Sequence, residues 1–343
     1  MDEQKREELL AQQMEVIRRM TEHNLARMGQ DFWGAPLPSE PSSVKEPTAP
    51  EKPRQSADAA PTPAGDPQPQ EAAVQEPEPL ETILAELDGY IGLAAVKEEV
   101  HNLINLVRVH QMRRDHDLPT PELSLHMVFS GNPGTGKTTI ARILAKYLKA
   151  IGALRGGQLV EVTRADLVGR YVGHTAPLTN QVIQSALGGV LFIDEAYSLY
   201  RGGEDSFGLE AIDTLVKGIE DHRDDLVVIL AGYSKEMALF LTANSGLASR
   251  FPNQIEFPDY TGAELLAITQ SIAKSKGYRL DDACAMPLVA FFDRRQSENA
   301  AENGNGRMAR NTLEKAILNQ SKRLVADADA ALDLLLPGDF ELE

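Results

Sequence analysis

Apolar residues follow two alternating patterns from about residue 90 onward, and the alternation predicts a sheet covered by helices. A short apolar run at 126–129 is typical of a buried strand, and further strand-like runs occur at 158–162, 189–193, 225–231 and 253–257. Between them, apolar side chains recur at helical spacing, as in 140–151 and 208–220. Strands that alternate with helices form parallel sheets with helices on both faces. We expect a five-stranded α/β domain over residues 81–260.

The strand pattern stops near residue 260. Thr261, with Glu264 three residues later, matches a capping box that opens a helix. Helical patterns follow at about 281–295 and 307–325. We expect a small helical domain and a C-terminal tail over residues 261–343.

The first 80 residues differ from the rest. Of the 20 prolines, 12 lie between Pro36 and Pro79, in a stretch without an aromatic residue. Such a segment cannot bury enough surface to offset its ordering entropy, so we predict a disordered linker rich in Pro, Ala and Glu over 34–80. Residues 1–33 predict an amphipathic helix. An isolated helix is marginal, so this one self-associates, packs on the main domain, binds a partner or stays solvated.

Composition narrows the classes of partner. The chain has 51 acidic and 34 basic residues and a net charge of −17, of which −10 falls on residues 81–343. This charge repels phosphate backbones, so we expect no nucleic-acid partner. Cys284 is the only cysteine, which excludes an intramolecular disulfide, and we expect it to be a small buried side chain. No apolar run approaches 18 residues, so we expect a cytoplasmic protein without a membrane partner.

A phosphate-binding loop is the strongest motif. Residues 131–138 match Gly-x4-Gly-Lys-[Ser/Thr] between a predicted strand and a predicted helix, as the motif requires. Its glycines let backbone N–H groups point inward at a helix N-terminus. Lys137 would hold the β- and γ-phosphates of a nucleotide, and Thr138 a Mg²⁺ ion. The nucleotide-binding candidates here are Gly131, Asn132, Pro133, Gly134, Thr135, Gly136, Lys137, Thr138 and Thr139.

Two carboxylates follow the buried run at 190–193. The carboxyl ends of parallel strands meet at one sheet edge, so Asp194 and Glu195 should lie beside the phosphate loop. We assign Asp194 to the magnesium shell through water, and Glu195 to orienting and deprotonating the attacking water. The alternative is an acidic N-cap for the next helix. Arg250 and Arg307 are further phosphate-binding candidates, although most arginines are solvated surface groups.

Together these motifs resemble the AAA+ ATPases over about residues 83–325. Within that family the sequence is most similar to the branch of stage V sporulation protein K and red-type, CbbX-like Rubisco activase. The stretches that carry the resemblance are 87–93, 131–138, 166–176, 192–197, 230–233, 249–251 and 306–307.

The resemblance implies roles for individual residues at the nucleotide. Arg250 matches the arginine finger, which reaches the γ-phosphate held by a neighbouring subunit and implies a ring, usually a hexamer. Arg307 matches the sensor-2 arginine, which reports the nucleotide state to the helical lid domain. Ile91 and Gly92 match the segment that packs on adenine.

Other positions have two interpretations. Tyr171, Val172 and Gly173 match the loop that lines the central pore of the ring and grips substrate polypeptide, but Tyr171 is equally compatible with a packed aromatic at a strand end. Ser234 is the candidate for sensor 1, where many family members have asparagine. The glycine-rich loop 201–208 is a second pore loop or a plain connection.

The sequence therefore predicts an ATP-hydrolysing, Mg²⁺-dependent ring ATPase that remodels or threads a protein client, with residues 1–33 recruiting that client. Its catalytic residues would be Lys137, Glu195, Arg250 and Arg307. Alternatives are remodelling of Rubisco, as in red-type activases, and a nucleotide-switched scaffold that hydrolyses ATP slowly. The negative charge disfavours a DNA-associated ATPase.

Overall fold

The computed structural model describes residues 79–342, apart from 122 and 327–330. The helix expected over 1–33 and nearly all of the linker expected over 34–80 lie outside the described residues. The first described helix, α1 (Leu80–Gly89), buries Ile83 and Leu87 on one face. Leu80, which the sequence assigned to the linker, is therefore the first residue of a packed helix.

One parallel sheet forms the centre of the α/β domain. Its strands are β1 (Met127–Gly131), β2 (Leu159–Val162), β3 (Val190–Ile193), β4 (Val227–Gly232) and β5 (Asn253–Phe257). Their order across the sheet is β2-β3-β4-β1-β5, and all pairs are parallel. Every residue of β3 and β4 is buried, which requires cover on both faces. The predicted fold class is confirmed.

Helices connect the strands. They are α2 (Ala94–Asp115), α3 (Lys137–Ala150), α4 (Arg164–Leu167), α5 (Thr175–Ala186), α6 (Ser206–Asp221), α7 (Ser234–Leu241) and α8 (Ser245–Arg250), with a 3₁₀ turn at Ala196–Leu199. Their apolar stripes supply the core: α3, for example, buries Ile140, Leu144 and Leu148 at four-residue spacing. No helix in the described part of the chain is long and apolar enough to cross a bilayer.

The C-terminal part is helical, with α9 (Gly262–Ser275), α10 (Ala285–Asn303) and α11 (Gly306–Ala326). The predicted capping box is confirmed, since the Thr261 N–H donates to Glu264 at 2.8 Å and the Glu264 N–H donates to Thr261 Oγ1 at 3.3 Å. One feature differs from expectation. A parallel pair, β6 (Arg279–Leu280) and β7 (Leu334–Leu335), lies in this domain. Strands of two residues are too short to show an alternating pattern.

The hydrophobic core continues from the sheet into the helical domain. Phe257 at the end of β5 and Tyr260 belong to the same buried cluster as Leu265, Phe292 and Leu313. Cys284 is buried there as predicted, and burial raises the pKa of its thiol to about 11. The helical domain is thus held against the loop that follows the sheet.

The order of the strands determines where a ligand can bind. β1 lies between β4 and β5, neither of which follows it directly in sequence. Open parallel sheets bind ligands outside the carboxyl ends of strands at such a point. The phosphate loop begins at the carboxyl end of β1, so it opens into this crevice.

Candidate functional site

The phosphate loop has the backbone that its glycines were expected to provide. Gly131, Gly134 and Gly136 have φ angles of 143°, 73° and 99°, a region that residues with side chains rarely adopt. A side chain would also clash at two of these positions. A Cβ on Gly131 would lie 2.3 Å from the carbonyl oxygen of Phe257, and a Cβ on Gly134 would lie 2.1 Å from the carbonyl oxygen of Gly304. Gly136 leads directly into α3, whose first N–H groups therefore face the loop.

Lys137 lies inside this loop. Its Nζ donates to the carbonyl oxygens of Gly131 at 2.8 Å and Asn132 at 2.7 Å. Burial lowers the pKa of Lys137 to about 8; the nearby Asp194 carboxylate opposes this shift, and the Arg307 charge adds to it. The ammonium, Asp194 and Arg307 therefore act on one another across the same crevice.

The two carboxylates leave β3 in different environments. Asp194 is half-buried and accepts a hydrogen bond from the Glu195 N–H at 3.0 Å. Glu195 is exposed and has left-handed backbone angles, φ 49° and ψ 44°. This conformation costs about 1 kcal/mol for a residue with a Cβ, and such strain concentrates at functional sites.

A magnesium site shared with a nucleotide fits the donors. Mg²⁺ keeps several waters and takes one or two carboxylates together with substrate phosphates. Thr138 is the second residue of α3, and Asp194 is two strands away, which is about 10 Å across the sheet. No cluster of three His, Cys, Asp or Glu residues that could hold a metal by itself occurs among the described residues. Thr138 and Asp194 would therefore hold the ion only together with water and phosphate.

The candidate adenine segment lies between the loop and the helical domain. Gly92 has φ 66°, and a Cβ there would lie 2.4 Å from Glu264 Oε1 and 3.1 Å from Tyr260 Cε1. The next residue, Leu93, lies beside Gly136. Gly92 thus lies against the helical domain and one residue from the contact with the phosphate loop, and the adenine role of Ile91 and Gly92 stays a prediction.

Arg307 is brought to the loop, as the resemblance implies. It is the second residue of α11, and its backbone nitrogen would lie 3.1 Å from a Cβ on Gly134. Ser234 is also at this sheet edge, because it is the exposed first residue of α7 after β4, the strand between β1 and β3. Next to it, the ring of Tyr233 packs against that of Tyr197, 5.6 Å between centroids.

Arg250 is not brought to the loop. It ends α8, just before β5, and its backbone carbonyl accepts a hydrogen bond from Ser124 at 2.9 Å. Its guanidinium pairs with Glu220 at 3.0 Å. These contacts lie at the amino end of β1, whereas the phosphate loop lies at its carboxyl end. The five residues of β1 separate the two ends by about 17 Å.

The candidate pore loop is exposed. Tyr171 is 68% exposed and Val172 is 88% exposed, so Tyr171 is not the packed aromatic of the alternative interpretation. Gly173 has φ 80° with open space where a Cβ would be, so the turn itself requires glycine. This loop follows β2, the edge strand three positions from β1, and lies away from the nucleotide crevice.

The loop 201–208 has a structural anchor. Asp205 caps α6 by accepting from the Gly208 N–H at 3.1 Å, and it forms an ion pair with Arg164 at 2.7 Å. The base of this loop is therefore fixed whichever of its two interpretations holds.

Sequence reasoning missed the residues that join the phosphate loop to the helical domain. Asp259, Tyr260, Gln296 and Asn305 make hydrogen bonds there. The run Gly304–Gly306 contained a signal for Asn305, since asparagine between glycines favours a left-handed turn. Asp259 belongs to no motif.

Two family models match the chain. The model for the ATPase family associated with various cellular activities (AAA) matches residues 127–259. A model for the AAA lid domain matches residues 261–343.

Curated relatives match most of the chain. Stage V sporulation protein K from Bacillus subtilis (strain 168) is 44% identical over 260 residues, 74% of this chain and 81% of that protein. The chloroplastic ribulose bisphosphate carboxylase/oxygenase activase from Cyanidioschyzon merolae is 44% identical over 249 residues, 72% and 84% of the two chains. The protein CbbX from Cereibacter sphaeroides is 45% identical over 253 residues, 73% and 81%.

Solved structures share the fold at lower identity. A mutant of RuvB from Thermotoga maritima has a TM-score of 0.51 at 23% identity, over 74% of this chain and 69% of that chain. The AAA domain of FIGL-1, solved in complex with ADP, has a TM-score of 0.51 at 18% identity, over 80% and 90%. At these identities the likeness concerns the fold.

Proposed function

Because this chain belongs to the family of ATPases associated with various cellular activities, we propose that it is a ring-forming, Mg²⁺-dependent ATPase that remodels or threads a protein client. The observation that carries the ring is the position of Arg250. The phosphate loop, Asp194, Glu195 and Arg307 share one crevice, whereas Arg250 lies at the other end of β1. A site completed by this arginine needs a second subunit.

Each residue of the crevice has a chemical task in hydrolysis. The N–H groups of the phosphate loop and the Lys137 ammonium bind the β- and γ-phosphates. Thr138 and Asp194 would hold Mg²⁺ through water, and the ion would neutralise charge on the phosphate oxygens. Glu195 accepts a proton from the attacking water, and its exposed position after Asp194 leaves room for that water. We assign Ser234, the exposed first residue of the helix after the intervening strand, to a hydrogen bond with a phosphate or the water.

Arg250 then acts on the γ-phosphate of the neighbouring subunit. Its guanidinium carries positive charge that stabilises the transition state of phosphoryl transfer. Closed rings are built from head-to-tail interfaces of this kind, in which one subunit presents a site and the next presents a side chain. We propose a hexamer.

We assign the gripping of the client polypeptide to Tyr171 and Val172. Large exposed apolar side chains on a turn are suited to gripping an unfolded polypeptide, because they offer apolar contact without sequence-specific hydrogen bonds. Residues 1–33 recruit the client. The intact Glu195 and Arg250 argue against a scaffold that hydrolyses ATP slowly.

A second candidate client follows from the names of the relatives. Two of the compared proteins, an activase of ribulose bisphosphate carboxylase/oxygenase and CbbX, are as similar to this chain as stage V sporulation protein K is. Remodelling of Rubisco is therefore the alternative. Stimulation of ATP hydrolysis by ribulose bisphosphate and inhibited Rubisco would support it.

Mixing two inactive variants tests the shared site. Arg250→Ala keeps the phosphate loop but lacks the finger, and Lys137→Ala keeps the finger but lacks the phosphate ligand. Each alone should lose hydrolysis by roughly 10³-fold. Mixed in equal amounts, the two should recover about a quarter of the wild-type rate, because that share of interfaces combines an intact loop with an intact Arg250.

Arg223→Ala is the matched control, since Arg223 is an exposed arginine that also lies near Glu220. This variant should hydrolyse ATP normally on its own. A mixture no more active than its components would overturn the shared site. A wild-type protein without ATP hydrolysis would overturn the enzymatic function itself.

A further inference from the structure

The carbonyl side of the phosphate loop is occupied by residues from the hinge and the helical domain. The carbonyl oxygens of Gly131 and Asn132 accept from Lys137 inside the loop, whereas those of Gly134 and Thr135 face the hinge and the helical domain. There the Gly306 N–H donates to the Gly134 oxygen at 3.1 Å, and the Tyr260 hydroxyl donates to the Thr135 oxygen at 3.2 Å. The lid domain is thus docked directly on the back of the phosphate loop.

Asn305 is the most constrained residue of this contact. It is fully buried, and its backbone is left-handed with φ 46°. Its amide nitrogen donates to Asp259 Oδ1 at 2.8 Å and to the Pro133 carbonyl at 3.3 Å. Its amide oxygen accepts from the Tyr260 N–H at 3.0 Å and from Gln296 at 2.7 Å. These four bonds fill the hydrogen-bonding capacity of the amide.

Asp259 closes the connection. Both of its carboxylate oxygens lie 2.9 Å from the amide nitrogen of Asn132, a residue of the phosphate loop. The Asp259 carboxylate therefore accepts hydrogen bonds from the amide of Asn132 in the loop and from the amide of Asn305 in the lid. We call the three side chains Asn132, Asp259 and Asn305 the loop–lid clamp.

We propose that Asn305 is the positioning residue that holds Arg307 at the phosphate loop, and that it does so through the loop–lid clamp. The inference rests on the proposed function, which gives Arg307 its role at the phosphates. Arg307 is two residues after Asn305, at the start of α11. The position of the Asn305 turn therefore determines where α11 begins, and with it the space that the Arg307 guanidinium can reach.

The same geometry links nucleotide state to lid position. Phosphates that enter the loop contact its N–H side, and any shift of the loop passes through Pro133 and Gly134 to Asn305 and Gly306. Asn305 is buried and its amide is fully paired, so a shift of the loop that left this amide unpaired would be costly, and the lid follows the loop instead. The clamp thus connects the phosphate loop to the lid, beside the backbone bond between Gly306 and Gly134.

Asn305→Gly is the informative variant, because glycine accepts the left-handed backbone and removes only the amide. With the full-length protein, we expect kcat for ATP to fall about tenfold or more, since small misplacements of a phosphate ligand have effects of this size. The Kd for a fluorescent ADP analogue should stay within about threefold, because the loop N–H groups and Lys137 remain.

Two further variants separate positioning from mere stability. In the Arg307→Ala background, Asn305→Gly should cause no additional loss of kcat if it acts through Arg307. The exchange Asn305→Asp with Asp259→Asn rebuilds a carboxylate–amide pair and should recover part of the activity that Asn305→Asp alone loses. Gln320→Ala is the matched control, since Gln320 is a buried lid amide that bonds to the carbonyl groups of Leu332 and Leu334.

The outcomes are distinguishable. The proposal holds if Asn305→Gly lowers kcat and Gln320→Ala does not, although both lower Tm by a similar amount. It also requires that Asn305→Gly has no further effect on kcat in the Arg307→Ala variant. It is overturned if kcat is unchanged in Asn305→Gly, if the losses add in the double variant, or if Gln320→Ala has the same effect. A wild type without ATP hydrolysis would instead refute the proposed function.

Discussion

His126 is a buried residue near Arg250, the proposed arginine finger. It directly precedes β1 and is 4% exposed, and its Nδ1 accepts a hydrogen bond from the Val228 N–H at 3.1 Å. Its ring packs against Phe251, 5.8 Å between centroids. Burial, followed by the charge of nearby Arg250, lowers the pKa of His126 to about 4. A neutral imidazole therefore lies beneath the proposed finger at neutral pH.

The lowered pKa makes stability depend on pH. An unfolded histidine takes up its proton near pH 6.5, whereas folded His126 does so near 4, so the unfolded state binds more protons between these values. The contribution of His126 is complete above pH 6.5 and is lost as the pH falls towards 4. From pH 7 to pH 5 the loss in free energy of unfolding should be about 2 kcal/mol.

Urea unfolding at the two pH values measures this contribution. His126→Asn removes the titration, and its amide oxygen can still accept from Val228, so the variant should lose about 2 kcal/mol less than the wild type over the same pH range. His116→Asn, at an exposed position, should behave like the wild type. An equal pH dependence in His126→Asn and the wild type would refute the assignment.

Residues within motifs could be predicted from the sequence, and their partners could not. The phosphate loop and Asp194–Glu195 carry their signals in a few consecutive letters, because strand, turn and helix are local. Asp259 receives bonds from Asn132 and Asn305, which are 127 and 46 residues away. Such a contact depends on how the lid docks, which no local pattern encodes.

At the scale of elements, Arg164 joins three segments near the proposed pore loop. It is the first residue of α4, and its guanidinium donates to the carbonyl groups of Ser198 at 2.8 Å and Leu199 at 3.2 Å. It also binds Asp205, the N-cap of α6. Both side chains are largely buried. The segment after Glu195 is thus tied to the segment that leads into Tyr171.

Loss of this tie should destabilise the domain. Arg164→Ala leaves the Asp205 carboxylate buried without its partner, and we expect the free energy of unfolding to fall by about 2 kcal/mol. The arginine also lowers the pKa of Asp205, so the loss should shrink at low pH, where that carboxyl is neutral.

Arg155→Ala provides the comparison, because Arg155 pairs with Asp225 while 81% of its own side chain is exposed. Exposed pairs contribute under about 1 kcal/mol. Urea unfolding of both variants at pH 7 and low pH tests the difference. Equal losses in the two variants would show that Arg164 has no special structural role.

Long elements followed the sequence closely, and short ones did not. All five strands of the sheet were predicted; the signal was clearest for β3 and β4, which are buried on both faces and apolar throughout, whereas β2 and β5 are partly exposed and carry polar residues. Their limits shifted by one or two residues, as with β4, which begins at Val227 and not at 225. The pair β6–β7 was missed because its two-residue strands arise from tertiary packing.

At the scale of the whole molecule, the distribution of charge fits a site for phosphate in an acidic protein. The net charge of −17 repels polyanions over long distances. Lys137 and Arg307 supply positive charge inside a crevice, where screening by salt is weak. Arg250 supplies it at the other end of the sheet. We therefore expect small phosphates to bind in the crevice and nucleic acids to bind poorly.

Client capture is the prediction that involves the entire chain. Glu195→Gln should bind ATP and not hydrolyse it, because the amide cannot take the proton of the attacking water. Rings held in the ATP state should retain the client. The composition of 34–80 predicts a coil with a typical span of roughly 40 Å, so a recruiting segment at 1–33 could search the surroundings of the ring.

Affinity purification of Glu195→Gln in ATP, followed by mass spectrometry, should therefore yield client proteins that are absent with Lys137→Ala, which cannot hold the phosphates. Deleting residues 1–33 from Glu195→Gln should remove those clients while the Kd for ATP stays unchanged, because the phosphate loop and its contacts lie within residues 79–343. Tyr171→Ala in the same background separates recruitment from gripping, since it should keep the client bound but leave it accessible to protease. A client set that survives the deletion would assign recruitment to the ATPase domain itself and refute the role of residues 1–33.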